Sequence, residues 1–238
     1  MRQEQKKINQ IAHKYKEFSE AAELPTKAER MSVSGYHKVS VKPPKKAVRI
    51  VDNAGESGII KSLDIDDFNL MSEGKNIDPS VIDIISKTVK EYENAGAFYL
   101  NDFYLGHLNI ETNGVPLLQI EPTGNKTLRL NINTDVFSGK TVAEIDDLLK
   151  ANEKNLANSL KEAVIHECGH AKSIKGKTIK EIQTFYSEIA NSHIEGVSKI
   201  AYDDGAEALA EIEILISRRA KIPKKAIGFY NKYMRRNR

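Results

Sequence analysis

Two histidines four residues apart flank a glutamate in Ala163-Val-Ile-His-Glu-Cys-Gly-His-Ala171, and this H-E-x-x-H run constrains the chain more than any other feature. On an α-helix, positions four apart share a face, so His166 and His170 can offer two imidazole nitrogens to one zinc ion at about 2.0–2.1 Å. Glu167 stands one step round the helix, beside such a metal rather than on it. That is where a general base takes a proton from water. Leu160, Ala163, Val164, Ala171 and Ile174 give the segment an apolar stripe, as a buried helix needs. The competing reading is a helix that carries two surface histidines.

What surrounds the motif decides between these readings. Over 238 residues, 40% are hydrophobic and 29% charged, the usage of an ordinary globular chain with a sizeable core. Residues 1–24 have helix-forming composition that stops at Leu24-Pro25, and about 31–55 read as a Ser-, Lys- and Pro-rich tether. The expected division is an N-terminal helical arm and linker over 1–55 and one domain over 56–238.

Within that domain Asp78-Pro79 caps a helix whose Val81, Ile84, Ile85 and Val89 share a face to about Glu93. Ala97–Ile110, Val115–Glu121 and Thr127–Thr134 then read as three strands of a small antiparallel meander, parted by Asn113-Gly114 and Thr123-Gly124-Asn125. In the last, Leu128, Leu130 and Ile132 alternate with Arg129, Asn131 and Asn133, which predicts one wet face. Helices follow over about 141–149, 155–173, 179–193, 203–219 and 224–236. The fold class is α+β, a small antiparallel sheet packed on helices.

Two histidines and a water leave a tetrahedral site one protein ligand short. A third histidine six residues beyond the motif is excluded, because Ser173 and Gly176 stand where that pattern puts Gly and His, and no Met lies between Met71 and Met234. Glu207 and Glu211, four apart in Asp-Asp-Gly-Ala-Glu-Ala-Leu-Ala-Glu, are the candidates; one binds the metal while the other orients a histidine. His193 is the outside candidate. Cys168 reads as a packed core thiol on the side away from the two histidines, and as the sole cysteine it forms no internal disulfide. Glu211 and Glu213 form an E-x-E pair of the kind ADP-ribosyltransferases use, but here it lies in an alanine-rich helical run.

"HECGHA" followed by "SKIAYDDGAEALAE" resembles the zincin-like domains attached to phage minor head proteins and, more distantly, the catalytic domain of anthrax lethal factor. "HKYKEFSEAAELPTKAERMSVSGY" is similar to the segment that closes the conserved part of phage minor capsid proteins. The resemblance implies a zincin-like metallopeptidase, a Zn2+ cofactor, Glu207 as third ligand and Glu211 behind it. It also places an oxyanion-stabilising Tyr at position 200, where this chain has Ile200; Tyr202, two residues along, is the candidate to replace it. Where the family has Asn, this chain has Asp204.

The function expected is hydrolysis of peptide bonds, with the substrate extended along Thr127–Thr134 as the sheet edge. The alternative is a head structural or morphogenesis protein whose metal site is inactive or structural. Partners on this reading are a peptide or protein substrate and phage head or portal proteins. Lys and Arg cluster before residue 50 and over Arg218–Arg238, a weaker pointer to DNA, although the net charge is only +3. The first fifteen residues lack the apolar core of a signal peptide, and no apolar run reaches the roughly 18 residues that span a bilayer. The compartment expected is the cytoplasm of an infected bacterium, or the virion.

Overall fold

A computed structural model describes residues 50–51, 58–60, 77–106, 108, 116–124 and 126–234. The helix expected over 1–24 and all but two residues of the expected tether lie outside the described residues. The elements are β1 (Ile50–Val51), β2 (Gly58–Ile60), α1 (Pro79–Asn94), β3 (Asp102–Gly106), β4 (Leu118–Gly124), β5 (Thr127–Asn133), α2 (Thr134–Phe137), α3 (Val142–Lys150), α4 (Leu160–Ile174), α5 (Ile179–Ile189), α6 (Lys199–Asp203), α7 (Gly205–Ser217) and α8 (Lys224–Met234). The class is α+β.

The sheet is mixed, not the antiparallel meander expected. Its order is β1-β2-β3-β5-β4, and β3 runs parallel to β5, with Phe103 beside Leu130 and Leu105 beside Ile132. The β4–β5 hairpin enters as a unit with its second strand innermost, which leaves β4 at the edge and β5 in the middle. The expected edge, Thr127–Thr134, is therefore the wrong strand of the hairpin. Both faces of β5 are also largely covered: Leu128, Leu130 and Ile132 are buried, and so are Asn131 and Asn133. The amide of Asn133 stays satisfied by donating from Nδ2 to Pro116 O (3.0 Å) while its Oδ1 accepts from Asp135 N at the start of α2. Arg129, on the same face, pairs with Asp102 and Glu121.

Helix starts follow the local chemistry. Asp78 caps α1 by accepting from Ser80 N, with Pro79 at the first helical position. Thr141 with Glu144, and Thr178 with Glu181, form reciprocal capping boxes on α3 and α5. α4 begins at Leu160, capped by Ser159 and five residues later than expected, because the backbone just before it serves other partners: Asn158 N donates to Glu162 and Leu156 N to Glu211.

The core lies between the sheet and the α1, α4 and α7 layer, with Val81, Ile85, Phe98, Leu130, Ile132, Phe137, Leu160 and Ile212 all buried. α4 packs on α7 across Gly169, where an added Cβ would sit 2.8 Å from Ala210 Cα. Only a residue without a side chain permits that approach. On the far side of this contact, Lys172 Nζ meets both oxygens of the buried Glu213 (3.0 and 3.1 Å) and Tyr230 Oη (2.7 Å), and Tyr230 also donates to Glu213. The helix pair is thus tied by charge on one side and carries the motif on the other. No helix among the described residues is long and apolar enough to cross a membrane.

Candidate metal centre

α4 and α7 bring the candidate ligands together. His166 and His170 stand one turn apart on α4, and Glu207 lies in the first turn of α7, whose N-terminus Asp204 caps by accepting from Ala206 N (2.7 Å). A carboxylate in a first turn is favoured by the exposed N–H groups there. The Nε2 atoms of the two histidines are 3.1 Å apart. Glu207 Oε2 lies 3.1 Å from His166 Nε2, and its Oε1 lies 3.6 Å from His170 Nε2. One ligand atom from each of the three residues falls within 4.8 Å of the others, a group able to hold a metal ion.

These distances can be tested against a metal's own geometry. Bonds of about 2.0–2.1 Å in a tetrahedron hold neighbouring ligand atoms about 3.3 Å apart; the contacts here are 3.1, 3.1 and 3.6 Å, the two to Glu207 through different oxygens, so the group is close to that spacing. The proton arrangement agrees. His166 donates from Nδ1 to Glu211 Oε1 (3.0 Å), so its neutral ring turns a bare Nε2 lone pair toward Glu207 and His170. Lone pairs that converge in this way are satisfied by a cation. Burial opposes the charged form of His166, but its bonds to Glu207 and Glu211 outweigh burial and hold its pKa well above 6.5. His170 is raised above the same value by Glu207, again against burial. Burial alone would raise Glu207, yet the two imidazoles pull it well below the usual carboxylate range.

Glu211 completes the support. It is fully buried; one oxygen accepts the Nδ1–H of His166 and the other accepts from Leu156 N at 2.7 Å. Glu213, two residues on, faces Lys172 instead, so the E-x-E pair is split between opposite sides of α7.

Glu167 is half-buried and lies between α4 and the sheet. Its Oε2 accepts from the backbone N–H of Ile120 on β4 at 2.7 Å. Burial pushes its carboxyl above the ordinary value, against the pull of His170, His166 and the Ile120 N–H. A carboxylate raised in this way moves toward the range in which a base both holds and releases a proton.

The other sequence candidates lie elsewhere. His193 is exposed, donates from Nδ1 to Tyr202 O (3.0 Å) and sets its ring 5.1 Å from the Tyr202 ring at a tilt of 36°, outside the His166, His170 and Glu207 group. Tyr202 is 47% exposed on α6, and the ring contact described for it is the one with His193. Ile200 N donates to Lys154 O, which ties α6 to the loop before α4. Cys168 is buried in the core, and burial pushes its thiol well above its usual value. Three contributors were not anticipated: the N–H groups of Ile120 and Leu156, and Gly169 at the helix crossing. Compared with protein-family models, curated proteins and solved structures, the chain matches none.

Proposed function

We propose that this chain is a zinc-dependent peptidase of zincin type, carried by a phage minor head protein. The observation that supports it most is the convergence of His166 Nε2, His170 Nε2 and Glu207, with Glu167 beside them on the same helix. Attachment to a phage head, with head or portal proteins as partners and the virion or infected cytoplasm as location, rests on the resemblance of the two quoted segments.

His166 and His170 hold the metal through Nε2 and Glu207 through a carboxylate oxygen. Bound zinc supplies a Lewis acid that polarises a carbonyl and makes water acidic near neutral pH. Glu167 accepts the proton of the attacking water at its carboxylate and returns it to the departing amine. Glu211 keeps His166 in the tautomer that leaves Nε2 free, and the buried Glu211 in turn is fixed by Leu156 N. The peptide lies extended along β4 rather than β5, because β4 is the edge and packs against α4. Tyr202 is the candidate oxyanion donor and reaches that role by leaving His193.

A second reading is favoured by Ile200, which has no hydroxyl to donate where the resemblance places a Tyr: the metal then stabilises a head structural protein. Metal analysis tests what both readings share. Purified protein is expected to hold about one zinc per chain, and His166→Ala and His170→Ala to lose it. Glu207→Ala is expected to weaken zinc far more than Glu211→Ala. The reverse order of the glutamates would move the third ligand to Glu211, and retention of zinc by both histidine variants would refute the centre.

A further inference from the structure

The outer edge of β4 is depleted in donors. Asn133 N donates to Leu117 O, and the pairs Leu118 with Ile132, Ile120 with Leu130 and Pro122 with Leu128 follow in alternate register. This phase turns the backbone groups of Leu118, Ile120 and Pro122 away from β5. Leu128 confirms it from the other side of the pair, since both its N–H and its C=O bond Asn101 rather than β4. Three carbonyls therefore point outward, and no described group donates to them. The matching N–H groups are fewer. Ile120 gives its N–H to Glu167, and Pro122 has none to give. Proline is tolerated here because the missing N–H would have faced outward, so no ladder bond is lost.

In an antiparallel pair, residues that face each other at a bonded position exchange two N–H···O bonds. At Ile120 and Pro122 this edge can make only the half in which it accepts. We propose that β4 reads an extended peptide through the peptide's own N–H groups at two alternate residues, those facing Ile120 and Pro122, and leaves their carbonyls unbonded. Antiparallel docking places the residue facing Pro122 two positions before the one facing Ile120. The carbonyl left without a strand donor at Ile120 is turned toward Glu167 and the His166, His170 and Glu207 group. That carbonyl belongs to the bond to be cut. Residues whose nitrogen carries no hydrogen, proline above all, are excluded from both positions. This inference rests on the peptidase reading and adds the rule by which substrates are selected.

The probe is N-acetyl trialanine hydroxamate, whose terminal group takes the place of the scissile unit at the metal, so that its third alanine faces Ile120 and its first faces Pro122. Binding to the zinc-loaded full chain is measured by calorimetry. N-methylation of the first or the third alanine is expected to weaken binding by roughly tenfold or more, since each leaves a carbonyl of the edge without its donor, while N-methylation of the second stays within about threefold. Pro122→Ala, which gives the edge a donor, is expected to tighten the parent probe by about fivefold, with the melting temperature as the check on folding. Equal binding by all three methylated probes overturns the selection rule and leaves the peptidase reading standing, as does unchanged affinity in Pro122→Ala. Failure of the zinc-loaded chain to bind the unmethylated probe overturns both together.

Discussion

Glu211 Oε1 accepts the Nδ1 proton of His166 at 3.0 Å while its other oxygen accepts the N–H of Leu156 at 2.7 Å. One fully buried carboxylate thereby joins His166 to the loop before α4. Glu211→Ala removes both bonds and leaves the partly buried N–H of Leu156 unmatched. The expected cost is about 1–3 kcal/mol in denaturant unfolding of the metal-free protein, and about 10–100-fold in zinc affinity by chelator competition. A Glu211→Ala variant that lost stability but bound zinc as tightly as wild type would confine Glu211 to a packing role.

The pH dependence follows from the shifted groups. His166 and His170 sit above 6.5 in the folded metal-free protein, so their contribution to its stability is full below about pH 6.5 and is lost as pH rises through their raised values. Glu207, held well below 4.5, contributes above pH 4.5 and loses that contribution as pH falls through its depressed value. The metal-free protein is therefore most favoured by this cluster in mildly acidic solution. Zinc reverses the preference, because it displaces protons from the imidazoles. Zinc affinity should rise from pH 6 to pH 8, with proton release on binding, measured by calorimetry in buffers of different ionisation enthalpy. Flat affinity across that range would mean that the histidines are not the ligands.

The candidate ligands were legible because helical spacing is a property of the sequence itself: His166 with His170, and Glu207 with Glu211, are each four apart. Neither Ile120 nor Leu156 was legible as a partner, because each contributes a backbone N–H that carries no mark of residue type. The alternation of Leu128, Leu130 and Ile132 identifies a strand but not its neighbours, so it cannot distinguish an edge from the central place that β5 occupies. A signal for the correct edge was present. Pro122 in the preceding strand is a residue that central strands exclude, and it marks β4 as the outside of the hairpin. Gly169 was likewise visible within the motif, but its use depends on Ala210, forty-one positions away in the chain and in contact only after folding.

Gly169→Ala tests that contact. A Cβ there meets Ala210 Cα at 2.8 Å, so α4 and α7 must move apart, and the same separation sets the distance from the histidines to Glu207. The expected loss is about 1–3 kcal/mol of stability, with weaker zinc binding. Gly228→Ala on α8 is the control: a Cβ there meets nothing within 4 Å, and helix propensity should make the change neutral or stabilising by up to about 1 kcal/mol. Similar behaviour of the two variants would remove the α4–α7 approach as a determinant of the site.

Glu167 distinguishes an enzyme from a structural metal protein, since it lies beside the ligand group and bonds Ile120 N rather than Glu207 or either histidine. The decisive measurement compares cleavage of a mixed peptide library by wild type and by Glu167→Gln, both with zinc occupancy determined. The account predicts about one zinc per chain in each, chelator-sensitive cleavage by wild type, and a loss of at least about a hundredfold in the variant. Cleavage that persists in zinc-loaded Glu167→Gln, or a fully zinc-loaded wild type that cleaves nothing, would contradict it.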